Sequence, residues 1–238
     1  IGIENVRNLS SAIQPFFKEI GIELKGEDDM NHWRITPLGS MKKAWKTLDE
    51  YATVSSDGSL PWKRGCVLNI KGFQDFNAGY FAAGLSELGV ECVVREISMP
   101  EFDSLRGNPT EMRSTNIAKT ISGSLIGSLA ARINECSDGV DAVFMPAVVG
   151  LNGNSDVVRL RELVDRPLQF LATLPPSVPG IRLQMMLKKH FQKLGGVYML
   201  GDTVTGGEIV DGRLGYIKTK NHGDSRIYAD NFIIASGS

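Results

Sequence analysis

The chain has 238 residues, with 26 basic against 27 acidic side chains and a formal net charge of -1. That length can bury a sizeable core in one large or two small domains, while the charge balance leaves no field to gather nucleic acid or anionic lipid, which argues against a nucleic-acid partner. No apolar run approaches the ~18 residues of a membrane span, and Cys66, Cys92 and Cys136 lie far apart in or beside apolar stretches with no CxxC pair, as free thiols of a reducing cytoplasm do.

Ile13, Phe16, Phe17 and Ile20 recur at helical spacing ahead of Gly21 and Gly26, which predicts an opening helix. "HWRITPLGSMKKAW" predicts an extended segment turning at Pro37 to Gly39, and "TVSSDGSLPWKRG" a surface loop. From Cys66 the rhythm alternates. "CVLNIKG", "VECVVREI", "VDAVFMPAV" and "PLQFLATL" predict buried strands, and "DFNAGYFAAGLSELG", "PTEMRSTNIAKTISGSLIGSLAARINEC" and "SDVVRLRELVD" predict the helices between them, the long one weakened by Gly123 and Gly127.

Strands alternating with helices imply right-handed crossovers and an α/β fold built on a doubly wound parallel sheet. Ligands gather beyond the carboxyl ends of such strands, which here carry Lys71 to Asp75, Met145 to Ala147 and Leu174 to Ser177. After "LPPSVPG" comes the amphipathic helix "IRLQMMLKKHFQKLGG". "GVYML", "DTVTGGEIV", "RLGYIKTK" and "SRIYADNFIIA" then predict a β-meander, with Asp211-Gly212 as a two-residue hairpin turn and "FIIA" as a buried closing strand.

In two-domain flavoproteins a helix ending in paired glycines feeds a β-meander, which returns as an apolar strand ending in Ala-Thr-Gly beside the dinucleotide. "YADNFIIASGS" resembles that closing element, with Ser236 in the threonine position. The glycine-rich dinucleotide fingerprint G-x-G-x-x-G is absent. Together with a start at Ile1 and an end on "FIIASGS", its absence reads as an internal piece of a longer chain. "HWRITPLG", "TLPPSVPGIRLQ", "GGVYMLGDTV" and "NFIIASGS", in this order, resemble the family of B subunits of bacterial anaerobic glycerol-3-phosphate dehydrogenases.

That resemblance implies a flavin, FMN or FAD, weakly held or missing in this stretch alone. It implies oxidation of sn-glycerol 3-phosphate to dihydroxyacetone phosphate, with electrons passed towards quinone during anaerobic growth. The implied partners are a second flavin subunit and an iron–sulfur subunit, the latter anchoring a cytoplasmic complex to the inner membrane. It also divides the chain into residues 1–30 with the flavin-binding part, 31–175 as an α/β cap or substrate domain, and 176–238 as the helix, meander and closing strand of the flavin-binding domain.

Oxidising a secondary alcohol on a flavin calls for a base at the hydroxyl and cations at the phosphate. Arg34 and Arg182 lie inside the resembling motifs, and Arg113 stands at a helix start where backbone donors favour anions. A structural ion pair is the alternative for each. His32 is the base nearest these motifs. His190, on a polar helix face, and His222, in a turn-like stretch, read as solvated or turn residues. Ala235, Ser236 and Gly237 would face the flavin, Val204 would offer backbone to an adenine, and Ser177 would present the following helix start to an anion. Two other readings stand beside the dehydrogenase: a non-catalytic electron-transfer or assembly subunit, and a free-standing α/β protein that binds a small ligand.

Overall fold

A computed structural model describes residues 2–108 and 111–235. By its contacts the chain divides into two compact units, residues 1–190 and 191–238.

The first unit opens with α1 (Ile3–Glu19), an amphipathic helix with no buried residue. Short strands follow: β1 (Leu24–Lys25), β2 (His32–Ile35), β3 (Met41–Ala44), β4 (Thr47–Leu48) and β5 (Thr53–Val54). The stretch around Pro37 to Gly39 is a true hairpin. β2 and β3 pair antiparallel, and β5 takes the other edge of β2 in the order β3-β2-β5. The hairpin turn lies against a later helix so closely that a Cβ on Gly84 would sit 2.1 Å from the Leu38 carbonyl oxygen. Only glycine permits that approach.

The alternating region forms β6 (Arg64–Ile70), α2 (Ala78–Glu87), β7 (Glu91–Ile97), a 3-10 turn at Pro100–Phe102, α3 (Asp103–Arg106), α4 (Ser114–Thr120), α5 (Leu125–Cys136), β8 (Ala142–Pro146), α6 (Ser155–Leu163) and β9 (Leu168–Leu171). All four strands are parallel, in the order β7-β6-β8-β9. The single long helix expected up to Cys136 is instead two, α4 and α5. Gly123, at φ +56°, turns the chain between them in a conformation that side-chain-bearing residues rarely adopt.

β8 is buried along its whole length. Phe81 of α2 packs on Phe144 with ring centroids 5.5 Å apart, and Trp62 meets Phe144 edge to face at 5.1 Å. Cys66, whose side chain points to the sheet face opposite that of Val67, donates its thiol to the Cys136 carbonyl at the end of α5. The sheet also gains an edge from early in the chain. Ala52 N–H donates to Phe170 O at 2.9 Å and Phe170 N–H to Glu50 O at 3.1 Å, so residues 50–52 lie alongside β9.

α7 (Val178–Lys193) starts inside the proline-rich connector rather than after it. Pro179 sits in the first turn, where its missing N–H has no intrahelical partner to lose.

In the second unit, β10 (Val204–Val210), β11 (Arg213–Thr219) and β12 (Ile227–Tyr228) form an antiparallel meander joined at Asp211-Gly212 as expected. Two expectations fail here. "GVYML" forms no strand, and residues 232–235 are neither strand nor buried, with Ile233 91% and Ile234 86% exposed. An apolar run becomes a strand only where a neighbouring strand can take its backbone hydrogen bonds, and none does so among the described residues.

Candidate functional site

β2 holds the best-formed candidate. Successive side chains on a strand alternate faces, so His32 and Arg34 share one face while Trp33 takes the other. Arg34 stands opposite Lys42 on β3 and Thr53 on β5. Its guanidinium lies 4.6 Å from the centroid of the Tyr51 ring, a cation–π contact. Arg34 makes no ion pair or side-chain hydrogen bond with the described residues, which leaves its planar fork of donors available to an anion.

The other sequence-derived cations are already engaged. Arg182 is 5% exposed and Glu50 4%, and the two form a buried ion pair. Arg182 Nη1 also donates to the carbonyls of Val149 at 3.3 Å and Gly150 at 2.6 Å, tying α7 to the loop after β8. Burial pushes the Glu50 carboxyl above its ordinary value against the opposing pull of Arg182. Glu50 Oε2 has no hydrogen-bond partner, and Glu50 is among the residues lining a cavity of about 60 Å³, room for water. Arg113 caps α4, and its Nη1 is 3.1 Å from the Asp75 carboxylate, with the arginine side chain 61% exposed.

His32 Nε2 is hydrogen-bonded to Thr47 Oγ1 at 2.8 Å, and its Nδ1 is buried without a partner. Burial, with Lys25 and Lys46 nearby, lowers its pKa, so the ring is neutral at neutral pH. A cavity of about 390 Å³ opens beside it, lined by Lys25, Glu27, Asn31, His32, Thr53 and Ser56 among others.

Ser177 serves its own helix. Its Oγ accepts the Gly180 N–H at 3.3 Å, and its side chain hydrogen-bonds with Tyr51, whose phenol burial raises above its ordinary value. Arg34 and Ser177 therefore converge on Tyr51, beside the Glu50–Arg182 pair, while Arg113 lies with Asp75 beyond β6. Val204 belongs to the second unit, 58% exposed on the outer strand of the meander, where one side of its backbone is unpaired in the sheet. Ala235 is exposed, and Ser236 and Gly237 lie outside the described residues.

Glu50 and Tyr51 were missed in the sequence because nothing near them in the chain marks them. Lys42 carried a signal: a turn centred on Leu38 places residue 42 opposite residue 34. No group of histidine, cysteine, aspartate or glutamate side chains able to hold a metal occurs among the described residues, and none of their helices is long and apolar enough to cross a membrane.

No solved structure matches the chain. Curated relatives do. The chain is 35% identical to the B subunit of the anaerobic glycerol-3-phosphate dehydrogenase of Yersinia pestis bv. Antiqua (strain Antiqua), over 99% of its own length and 57% of the relative's. It is 37% identical to the corresponding B subunit of Yersinia enterocolitica serotype O:8, over 92% and 52%, and 35% identical to that of Haemophilus influenzae (strain PittGG), over 100% and 56%. The chain thus spans a little over half the length of these relatives. The sequence pattern of the FAD binding domain family matches residues 4–238, and the chain belongs to that family.

Proposed function

We propose that the chain is part of a flavin-dependent dehydrogenase subunit that oxidises sn-glycerol 3-phosphate to dihydroxyacetone phosphate, with Arg34 receiving the substrate's phosphate. The observation that carries the reading is the state of Arg34: an arginine held over Tyr51, without an acid partner among the described residues, in a chain similar to relatives named for that activity. Bound flavin, FMN or FAD, would accept the hydride. Val204 and Ala235 are both exposed, which suits the approach of such a group, whereas the Ser177 hydroxyl is occupied in capping α7. Electrons would pass towards quinone through a second flavin subunit and an iron–sulfur subunit, the latter joining the complex to the inner membrane.

In this reading residues 31–175 form the cap or substrate domain. Its sheet is doubly wound, which is supported by β6 lying between β7 and β8 and by the separate contacts of α2 and α5 with Phe144 and Cys66. Residues 1–30 and 176–238 belong to the flavin-binding part. Their apolar side chains in water, Ile3 and Leu9 on α1 and Ile233 and Ile234 near the end, support packing against the remaining length that the relatives possess.

The test is anaerobic reduction of the flavin in a subunit of the relatives' full length, assembled with its partners. Glycerol 3-phosphate bleaches the parent. Arg34→Ala raises the substrate concentration needed by roughly 10- to 150-fold, the loss of one charged hydrogen-bonding group, while chemical reduction is unchanged. Bleaching of Arg34→Ala at the parent's substrate concentration would sink the assignment. One observation favours the second reading, an electron-transfer subunit: His32 Nδ1 is buried and Nε2 is bonded to Thr47, so this histidine offers no nitrogen to a substrate hydroxyl. A flavin that is reduced chemically but never by substrate is its signature.

A further inference from the structure

We infer that Arg34 does not act alone and that Lys42, Arg34 and Thr53 form one phosphomonoester subsite across the β3-β2-β5 sheet. The inference rests on the reading of Arg34 given above and extends it to the substrate class selected. Residues directly opposite in antiparallel strands share a face, with Cβ atoms about 4.5–5.5 Å apart. Arg34 is paired in register with Lys42 on one side and Thr53 on the other, so an ammonium, a guanidinium and a hydroxyl stand in a row.

None of the three side chains has an ion pair or side-chain hydrogen bond with the described residues. That sets the row apart from its surroundings, where Lys46 pairs with Asp28 at 2.9 Å and Arg161 with Asp49 at 2.6 Å. Two like charges brought side by side on a sheet repel each other, and a dianion between them turns that repulsion into attraction. Arg34 supplies the planar fork, Lys42 a mobile point charge, and Thr53 a neutral donor that needs no counter-charge.

The 390 Å³ cavity adjoins the row through Thr53 and His32, and its size falls in the roughly 300–1,000 Å³ range of small-ligand sites. Its hydroxyl and amide lining, with Ser56 and Asn31, suits the hydroxyl-bearing carbons of a small phosphorylated polyol, and Lys25 and Glu27 on its wall offset one another in charge. The ligand class is therefore a compact molecule with one phosphate at its end and hydroxyls behind it.

The test uses the full-length subunit in its complex, with glycerol 3-phosphate as substrate and inorganic phosphate as competing probe. Lys42→Met raises both KM and the phosphate inhibition constant roughly tenfold, and Thr53→Val raises them about fivefold, with kcat unchanged because the contact is the same in ground and transition states. Lys42→Arg restores most of the affinity, which a purely structural role for the lysine would not produce. If Arg34→Ala loses substrate affinity while Lys42→Met and Thr53→Val match the parent, the row is overturned and Arg34 stands alone. If Arg34→Ala also matches the parent, the underlying assignment fails with it.

Discussion

Every residue of β8 is buried, and every residue of β10 is exposed. Both are strands in three- or four-stranded sheets, so the difference is not one of backbone pairing. Parallel strands are connected by crossover helices, and those helices become their cover, so the first unit carries its own core. A meander returns through tight turns that bring no cover with them. In the second unit β10 therefore makes its hydrogen bonds while its side chains stay in water, and its apolar positions are available to whatever packs on it.

That contrast makes removal of a charge costly in one unit and removal of an apolar group cheap in the other. The largest effect is expected at the buried pair. Arg182→Met leaves Glu50 ionisable and unpaired in the interior and destabilises the first unit by about 3–5 kcal/mol in chemical denaturation, with Glu50→Gln in the same chain recovering most of it. A single variant as stable as the parent would contradict the picture of a closed core locked by that pair.

The meander should respond to acid. Asp202 is held well below the usual carboxylate range, first by the Thr219 side chain and then by the backbone N–H of Asn221, the His222 ring and the Thr203 N–H. A depressed folded-state value gives stability that is present above the ordinary value of 3.8 and lost as pH falls below it. Amide protection across β10 and β11, taken relative to the intrinsic exchange rate at each pH, is expected to fall in that range, and Asp202→Asn to remove that fall. Unchanged protection on acidification would mean that the meander is held by something other than this carboxylate.

The smallest effect is the sharpest control. Ile209 is 73% exposed, so Ile209→Ser changes the stability of this chain by no more than about 0.5 kcal/mol. The same change in a protein of the relatives' length is expected to cost about 1 kcal/mol or more if the meander is covered there. Equal costs in both would show that β10 faces water in the longer protein too.

The parallel sheet was legible because buried parallel strands are written as short contiguous apolar runs, as in "CVLNI" and "AVFM". The break between α4 and α5 was half legible: Gly123 was marked as a weak point, but a positive φ cannot be read from glycine alone. "FIIA" misled for a physical reason. Hydrophobicity records what a segment would bury, whereas a strand also needs a neighbour, and neighbours are a property of the fold. The same limit hid the fate of the arginines. Arg34, Arg113 and Arg182 look alike as letters, and what separates them is whether an acid meets them: Asp75 meets Arg113, Glu50 meets Arg182 from 132 residues away, and none among the described residues meets Arg34.

The strip of residues 50–52 that flanks β9 sets an order of events at the ribosome. Its pairing partner, Phe170, is translated long after it, and at roughly 5–20 residues per second the wait is on the order of ten seconds. Over that interval the hairpin bearing Arg34 can emerge, while β8 and β9, the last strands of the parallel sheet, are still to come. Its inner side chains, Ile35, Ala52 and Val54, all buried in the finished fold, are then surfaces that a nascent-chain chaperone can hold. A translation pause before β9 has left the ribosome would lengthen that exposure, and a pause after it has emerged would not.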